Sequence, residues 1–127
     1  MHIILVEDNK ADAFYIEELL DESDVSLTLK LVIDNGIDAI NYFSKLATDI
    51  NESIILLDIN LPGNNGFEIL EHLRKYYPKE ALNVAILSTS DSDEDRQKAE
   101  KLGANQYFNK PLCRDSLKKL ESLSRKS

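Results

Sequence analysis

Three four-residue stretches, Ile3-Ile4-Leu5-Val6, Ile54-Ile55-Leu56-Leu57 and Val84-Ala85-Ile86-Leu87, are apolar at every position, and segments of helical length lie between them. A strand with one wet face alternates polar and apolar residues, whereas an unbroken apolar run fits a strand covered on both sides. These runs read as the central strands of a parallel sheet with helices on both faces. Two further runs read as edges. Leu27 to Ile33 begins Leu-Thr-Leu-Lys-Leu, alternating apolar with polar, and Gln106 to Phe108 is short and half polar. With the first, third and fourth runs inside and the second and fifth outside, right-handed crossovers lead to the common doubly wound order 2-1-3-4-5.

This α/β, flavodoxin-like (βα)5 architecture also accounts for the helical segments. Ala13, Ile16 and Leu20 share one face of the first helix, Ile37, Ile40, Phe43 and Ala47 of the second, Leu70, Leu73 and Tyr77 of the third, and Leu117, Leu120 and Leu123 of the last. The fourth, from about Asp93 to Leu102, offers a core only Ala99 and Leu102, so it is expected to be weakly anchored. Ser92 with Asp95 resembles a capping box at its start, and Gly103 suits its C′ position. A length of 127 residues fits one domain over 1–127. No output domain is expected after the fifth helix.

Composition closes off several function classes. Fifteen Lys and Arg against 23 Asp and Glu leave a net charge of −8, which argues against a sequence-independent grip on nucleic acid. No apolar run approaches the roughly 20 residues that cross a bilayer, and no basic amphipathic stripe suggests membrane attachment. The single Cys113 cannot form an internal disulfide, and the first residues lack the basic and apolar regions of a signal peptide. A cytoplasmic location is the expectation. Cys113 reads as structural and His72 as a solvated residue on the polar side of the third helix.

In an open parallel sheet, ligands bind beyond the carboxyl ends of the strands near the point where strand order reverses. The residues that follow the strands are Glu7 and Asp8, Asp58, Ser88 and Thr89, and Lys110. Crowded carboxylates repel unless a cation joins them. An oxygen-only set with few protein ligands suits Mg²⁺ rather than zinc, for which Cys113, His2 and His72 provide no ligand spacing. A metal, a lysine and a hydroxyl donor can neutralise a phosphoryl group in transfer, and Asp58 is the candidate nucleophile. Leu61-Pro62-Gly63-Asn64-Asn65-Gly66 matches no nucleotide-binding glycine pattern, so bound ATP is not the expected donor.

The acidic pair Glu7-Asp8, the segment Ile-Leu-Leu-Asp58-Ile-Asn-Leu-Pro-Gly, the hydroxyl at Ser88 and the dipeptide Lys110-Pro111 occur in this order along the whole chain. Together they resemble the receiver domain of two-component response regulators, of the stand-alone type. The resemblance implies that Asp58 accepts a phosphoryl group from a phosphohistidine of a sensor histidine kinase or phosphotransfer domain. It implies that Asp8 and Asp58 bind Mg²⁺ directly, Asn60 through its backbone carbonyl and Glu7 through water, and that Lys110 and Ser88 contact the phosphoryl oxygens. Tyr107 matches the switch aromatic. Asn60 and Ser90 match positions that tune the lifetime of the aspartyl phosphate, and Thr89, where a small residue is common, is expected to narrow access to Asp58. Ser88 stands where threonine is usual and keeps the hydroxyl.

Phe14 and Tyr15, adjacent on the first helix, cannot share one face. Tyr15 resembles part of the patch by which receivers dock on kinase helices. The face of the fourth helix, fifth strand and fifth helix is where an as yet unknown downstream protein or a homodimer contact is expected. Two alternatives stand beside this reading. A phosphorylation-independent binding module would lack part of the acid cluster or the lysine. A small aspartate-nucleophile phosphatase usually needs a second Asp two residues after the nucleophile, and position 60 is Asn.

Overall fold

The computed structural model describes residues 2–45 and 53–124. In chain order the elements are β1 (His2–Val6), α1 (Lys10–Glu22), β2 (Thr28–Ile33), α2 (Gly36–Lys45), β3 (Ser53–Asp58), α3 (Gly66–Tyr76), β4 (Asn83–Ser88), α4 (Asp93–Lys101), β5 (Gln106–Asn109) and α5 (Arg114–Ser124). The strands form one parallel sheet in the order β2-β1-β3-β4-β5. All apolar residues of the three central runs are buried, as strands covered on both faces must be. Along β2, exposed Thr28, Lys30 and Val32 alternate with more buried neighbours, as an edge strand requires.

Two apolar layers sandwich the sheet. Ile4, Val6, Ile55, Leu57, Val84 and Ile86 face α2, α3 and α4, while Ile3, Leu5, Ile54, Leu56, Ala85 and Leu87 face α1 and α5. The alternation of strand side chains divides each unbroken run between the two layers. α1, α3 and α5 bury the faces read from their spacing, with Ile16 and Leu20, Leu70 and Leu73, and Leu117, Leu120 and Leu123 at the sheet.

Three expectations need correction, and one lies outside the described residues. Ile37 is 56% exposed and lies beside Gly63, because the buried stripe of α2 runs through Gly36, Ala39 and Phe43, about a quarter-turn away. Ala47 falls outside the described residues. The start of α4 carries half a capping box: the Ser92 hydroxyl accepts from the Asp95 N–H, but the Ser92 N–H donates to the Ser90 hydroxyl instead of to Asp95. His72 is half-buried, with its Nε2 3.1 Å from the Ser44 hydroxyl and its ring edge-on to Tyr76. It joins α3 to α2 and is not merely solvated.

α4 is as thinly anchored as its composition suggests, with Ala99 its one fully buried residue and Leu102 packed beside the core. Gly103 follows it at φ +97°, the left-handed conformation that closes a helix and that side chains rarely adopt. No helix among the described residues is long and apolar enough to cross a membrane.

Candidate functional site

Strand register brings the chemistry to one edge. Val6 pairs with Leu57, so Glu7 emerges beside Asp58, the last residue of β3; Asp58 pairs with Leu87, so Ser88 follows it on β4. Ser88 pairs with Asn109, so Lys110 emerges next to the hydroxyl strand. Backbone bonds carry this order one residue past the strands, with the Glu7 N–H donating to the Ile33 carbonyl and the Lys110 N–H to the Ser88 carbonyl. Behind Asp58, α3 begins so close that a Cβ on Gly66 would stand 2.4 Å from the Asp58 carbonyl oxygen. Only glycine allows that approach.

Oxygens of Glu7, Asp8 and Asp58 lie within 4.8 Å of one another. Glu7 and Asp58 are 1% and 3% exposed, whereas Asp8 faces solvent along a groove of about 510 Å³. The Lys110 ammonium sits 2.7 Å from Glu7 Oε1, 3.0 Å from Asp12 Oδ2 and 3.1 Å from Asp58 Oδ2. The remaining oxygens are held by the chain: the Asn60 N–H donates to Asp58 Oδ1 at 3.1 Å and the Asn9 N–H to Glu7 Oε2 at 3.2 Å. All these donors to a cation are oxygens, two of them buried and one open, a set that fits a hard divalent ion retaining part of its water.

The electrostatics follow from this crowding. Burial and then the neighbouring Asp58 raise Glu7 from its ordinary value of 4.5 to about 7, against the lowering influence of Lys110 and the Asn9 N–H. Burial alone would lower the Lys110 ammonium, but Glu7, Asp12 and Asp58 overcome it and hold the group above its usual range. A carboxyl raised on folding stabilises the fold below its unfolded pKa and loses that contribution as pH rises through its folded pKa. Without metal, the wild type should therefore lose up to about 3 kcal/mol relative to Glu7→Gln between pH 4.5 and 8. Urea titrations of both proteins across that range in a chelator check this; a difference that stays flat or grows in favour of the wild type rejects it.

The switch candidates are linked through one residue. Ser88 is fully buried, and its hydroxyl accepts from the Ser90 N–H at 2.9 Å. The Ser90 carbonyl accepts from the Tyr107 hydroxyl at 3.0 Å and from the Asn109 amide at 2.8 Å. Arg96 of α4 lies over the Tyr107 ring at 4.7 Å and hydrogen-bonds Asn109. The hydroxyl strand, Tyr107 and α4 thus share one chain of contacts.

Thr89 is exposed on a recess of about 370 Å³, whose lining also includes Asp12, Tyr15 and Lys110. Tyr15 is 42% exposed, and its hydroxyl donates to the Leu112 carbonyl at 2.6 Å; Phe14 beside it is 62% exposed. Glu7, Asp8, Asp58 and Lys110 are brought together as their positions after the strands suggest. Asp12, Arg96 and Asn109 were not singled out by that reasoning. From sequence Asp12 looks like an ordinary acid in the first turn of a helix, and Arg96 like any solvated helix residue.

Known proteins resemble this chain along most of its length. Residues 3–121 match the family model of the response regulator receiver domain. The chain is 31% identical over 111 residues to the response regulator Rcp1 of Synechocystis, covering 85% of this chain and 75% of that protein. It is 28% identical to PilH of Pseudomonas aeruginosa, over 92% and 91% of the two chains. It also matches, at 34% identity over 87% of its length, an uncharacterized transcriptional regulatory protein of Bacillus subtilis, YkoG, of which it spans only 45%. Among solved structures it superposes on the Mn²⁺-bound form of Rcp1 with a TM-score of 0.71 at 29% identity, covering 96% of this chain and 90% of that one. It superposes on the phosphorylated cyanobacterial phytochrome response regulator RcpA with a TM-score of 0.70 at 31% identity, over 98% and 88%.

Proposed function

The chain belongs to the response regulator receiver family of two-component signalling, and from that premise we propose that Asp58 is its phosphoacceptor and Lys110 the counter-ion of the phosphoryl group. Receivers are signalling proteins that interact with histidine kinases and downstream targets. The observation that carries the assignment is the Lys110 ammonium 3.1 Å from a buried Asp58 carboxylate, flanked by the oxygens of Glu7 and Asp8. That Rcp1 is solved in a Mn²⁺-bound form and RcpA in a phosphorylated one supports a divalent cation and phosphorylation for a chain of this family.

Phosphoryl transfer from a phosphohistidine breaks a P–N bond and forms a P–O bond to an Asp58 oxygen, and the imidazole keeps the electron pair. Asp8 and Asp58, with Glu7 through water and the Asn60 carbonyl, would hold Mg²⁺, which supplies charge neutralisation on the equatorial oxygens. Asp58 is kept ready by the Asn60 N–H on its other oxygen. Lys110 donates to the incoming group, and Ser88 would turn its hydroxyl from Ser90 toward it.

That turn frees the Ser90 N–H, and with it the segment on which Tyr107 and Asn109 are anchored. The added charge of about −1.5 to −2 at the sheet edge thereby reaches α4, the least anchored helix. The face of α4, β5 and α5 is the proposed surface for a downstream protein or a second copy, and Tyr15 a proposed contact for the kinase. Asn60, Thr89 and Ser90 are proposed to tune the lifetime of the phosphoryl group.

Incubation with acetyl phosphate tests the reading. Phosphoryl incorporation should be readily measured by intact mass in millimolar Mg²⁺ and fall at least about tenfold when the metal is chelated, as loss of a major electrostatic stabiliser predicts. A folded protein that takes up no phosphoryl group with Mg²⁺ present would instead favour a binding module that works without phosphorylation.

A further inference from the structure

We infer that Asp12 is a positioning residue that acts through Lys110 and restrains the phosphorylated state, an inference that rests on Asp58 being the phosphoacceptor. Asp12 is the third residue of α1. Its backbone N–H is spent on the helix cap, donating to Asn9 Oδ1 at 3.0 Å. Its carboxylate is not needed for that cap and reaches Lys110 Nζ at 3.0 Å.

An ammonium has three protons to donate. Two of them go to Asp12 and Asp58 at 3.0 and 3.1 Å, and Glu7 Oε1 stands 2.7 Å from Nζ as an ion pair whose geometry is not that of a hydrogen bond. A phosphoryl oxygen arriving on Asp58 therefore meets a lysine already surrounded by three acids, and Asp12 competes with it for Nζ. Glu7 and Asp58 come from the buried strand ends, whereas Asp12 comes from the helix and is half-exposed, so it draws Lys110 toward the outer recess that both residues line. Asp12 is also a second negative charge near the reacting carboxylate. Its Oδ2 is no farther from Asp58 Oδ2 than the two lysine contacts laid end to end, about 6 Å, a range over which like charges in a protein interact appreciably.

Both effects have the same sign for an anion and the opposite sign for a cation. With Asp12 neutralised, Lys110 is free to serve the phosphoryl group and one repulsive charge is gone, so an anion on Asp58 binds better. The cation site, facing a lysine with one carboxylate fewer around it, binds Mg²⁺ less well. A residue that only props up the fold would weaken both.

The test uses the full chain, isothermal titration and beryllofluoride as the phosphoryl mimic. Wild type, Asp12→Asn and Asp12→Glu are each titrated with Mg²⁺ alone and with beryllofluoride at saturating Mg²⁺, after thermal unfolding shows all three folded. Asp12→Asn should bind beryllofluoride about three- to tenfold tighter and Mg²⁺ about two- to fivefold more weakly, while Asp12→Glu, which keeps the charge, returns both values toward wild type. Parallel weakening in Asp12→Asn, or no change in either constant, overturns the inference while wild-type binding upholds Asp58. A folded wild type that binds no beryllofluoride overturns the assignment of Asp58 and this inference with it.

Discussion

Asp58→Asn should abolish Mg²⁺-dependent phosphoryl incorporation, lowering it by at least about two orders of magnitude, nearly 3 kcal/mol of transition-state free energy. An amide is a poor nucleophile toward phosphorus and brings no negative charge to a divalent cation. The variant should nonetheless fold, because asparagine fills the same space in a site where Asp58 is 3% exposed and still accepts from the Asn60 N–H through its oxygen. It should also relieve crowding, since Asp58 is one of the groups that push Glu7 up to about 7. Intact-mass measurement after acetyl phosphate treatment, with circular dichroism as the folding control, decides this. Equal labelling of Asp58→Asn and wild type would place the acceptor on another residue.

Lys110→Met should have the largest effect on stability. The lysine side chain is 14% exposed, and its partners Glu7 and Asp58 expose 0% and 5% of their side chains. Removing one partner of a buried ion pair leaves uncompensated charge and commonly costs several kcal/mol. Here about 3 kcal/mol is expected at pH 8 in the absence of metal. The loss should shrink toward pH 5, because Glu7 is then protonated and one of the stranded charges disappears. Added Mg²⁺ should restore part of the loss at pH 8 by standing in as the counter-ion. Urea unfolding at both pH values, with and without Mg²⁺, provides the numbers; a loss under about 1 kcal/mol that ignores pH and metal would show that Lys110 is not what neutralises the acids.

Much of this molecule is legible in sequence because burial on two faces leaves an unbroken apolar signature. The three runs at Ile3, Ile54 and Val84 announce central strands, and once their order is set the residues after them converge on one edge. Glu7, Asp8, Asp58 and Lys110 lie together for this reason. Side chains whose partners come from another element were harder to place. Ile37 has the right spacing for the core, but Gly36, Ala39 and Phe43 form the buried stripe of α2 and leave it exposed. Asp12 carries no mark of its reach to a lysine 98 residues away. His72 looks like a surface residue until α2 comes to lie beside it.

Because Glu7, Asp58, Ser88 and Lys110 each stand at the end of a different strand, the site does not exist in any fragment of the sheet. Parallel pairing closes long loops before it is rewarded, and bringing Glu7 beside Asp58 adds carboxylate repulsion that β5, with Lys110 at its end, offsets. The edge strand, four residues long and half polar, is thus held by charge as well as by backbone bonds to β4. On the role proposed for Asp58, the site thereby reports on the whole sheet: a chain that has misregistered or lost one strand lacks part of it, even where the rest of its core has formed.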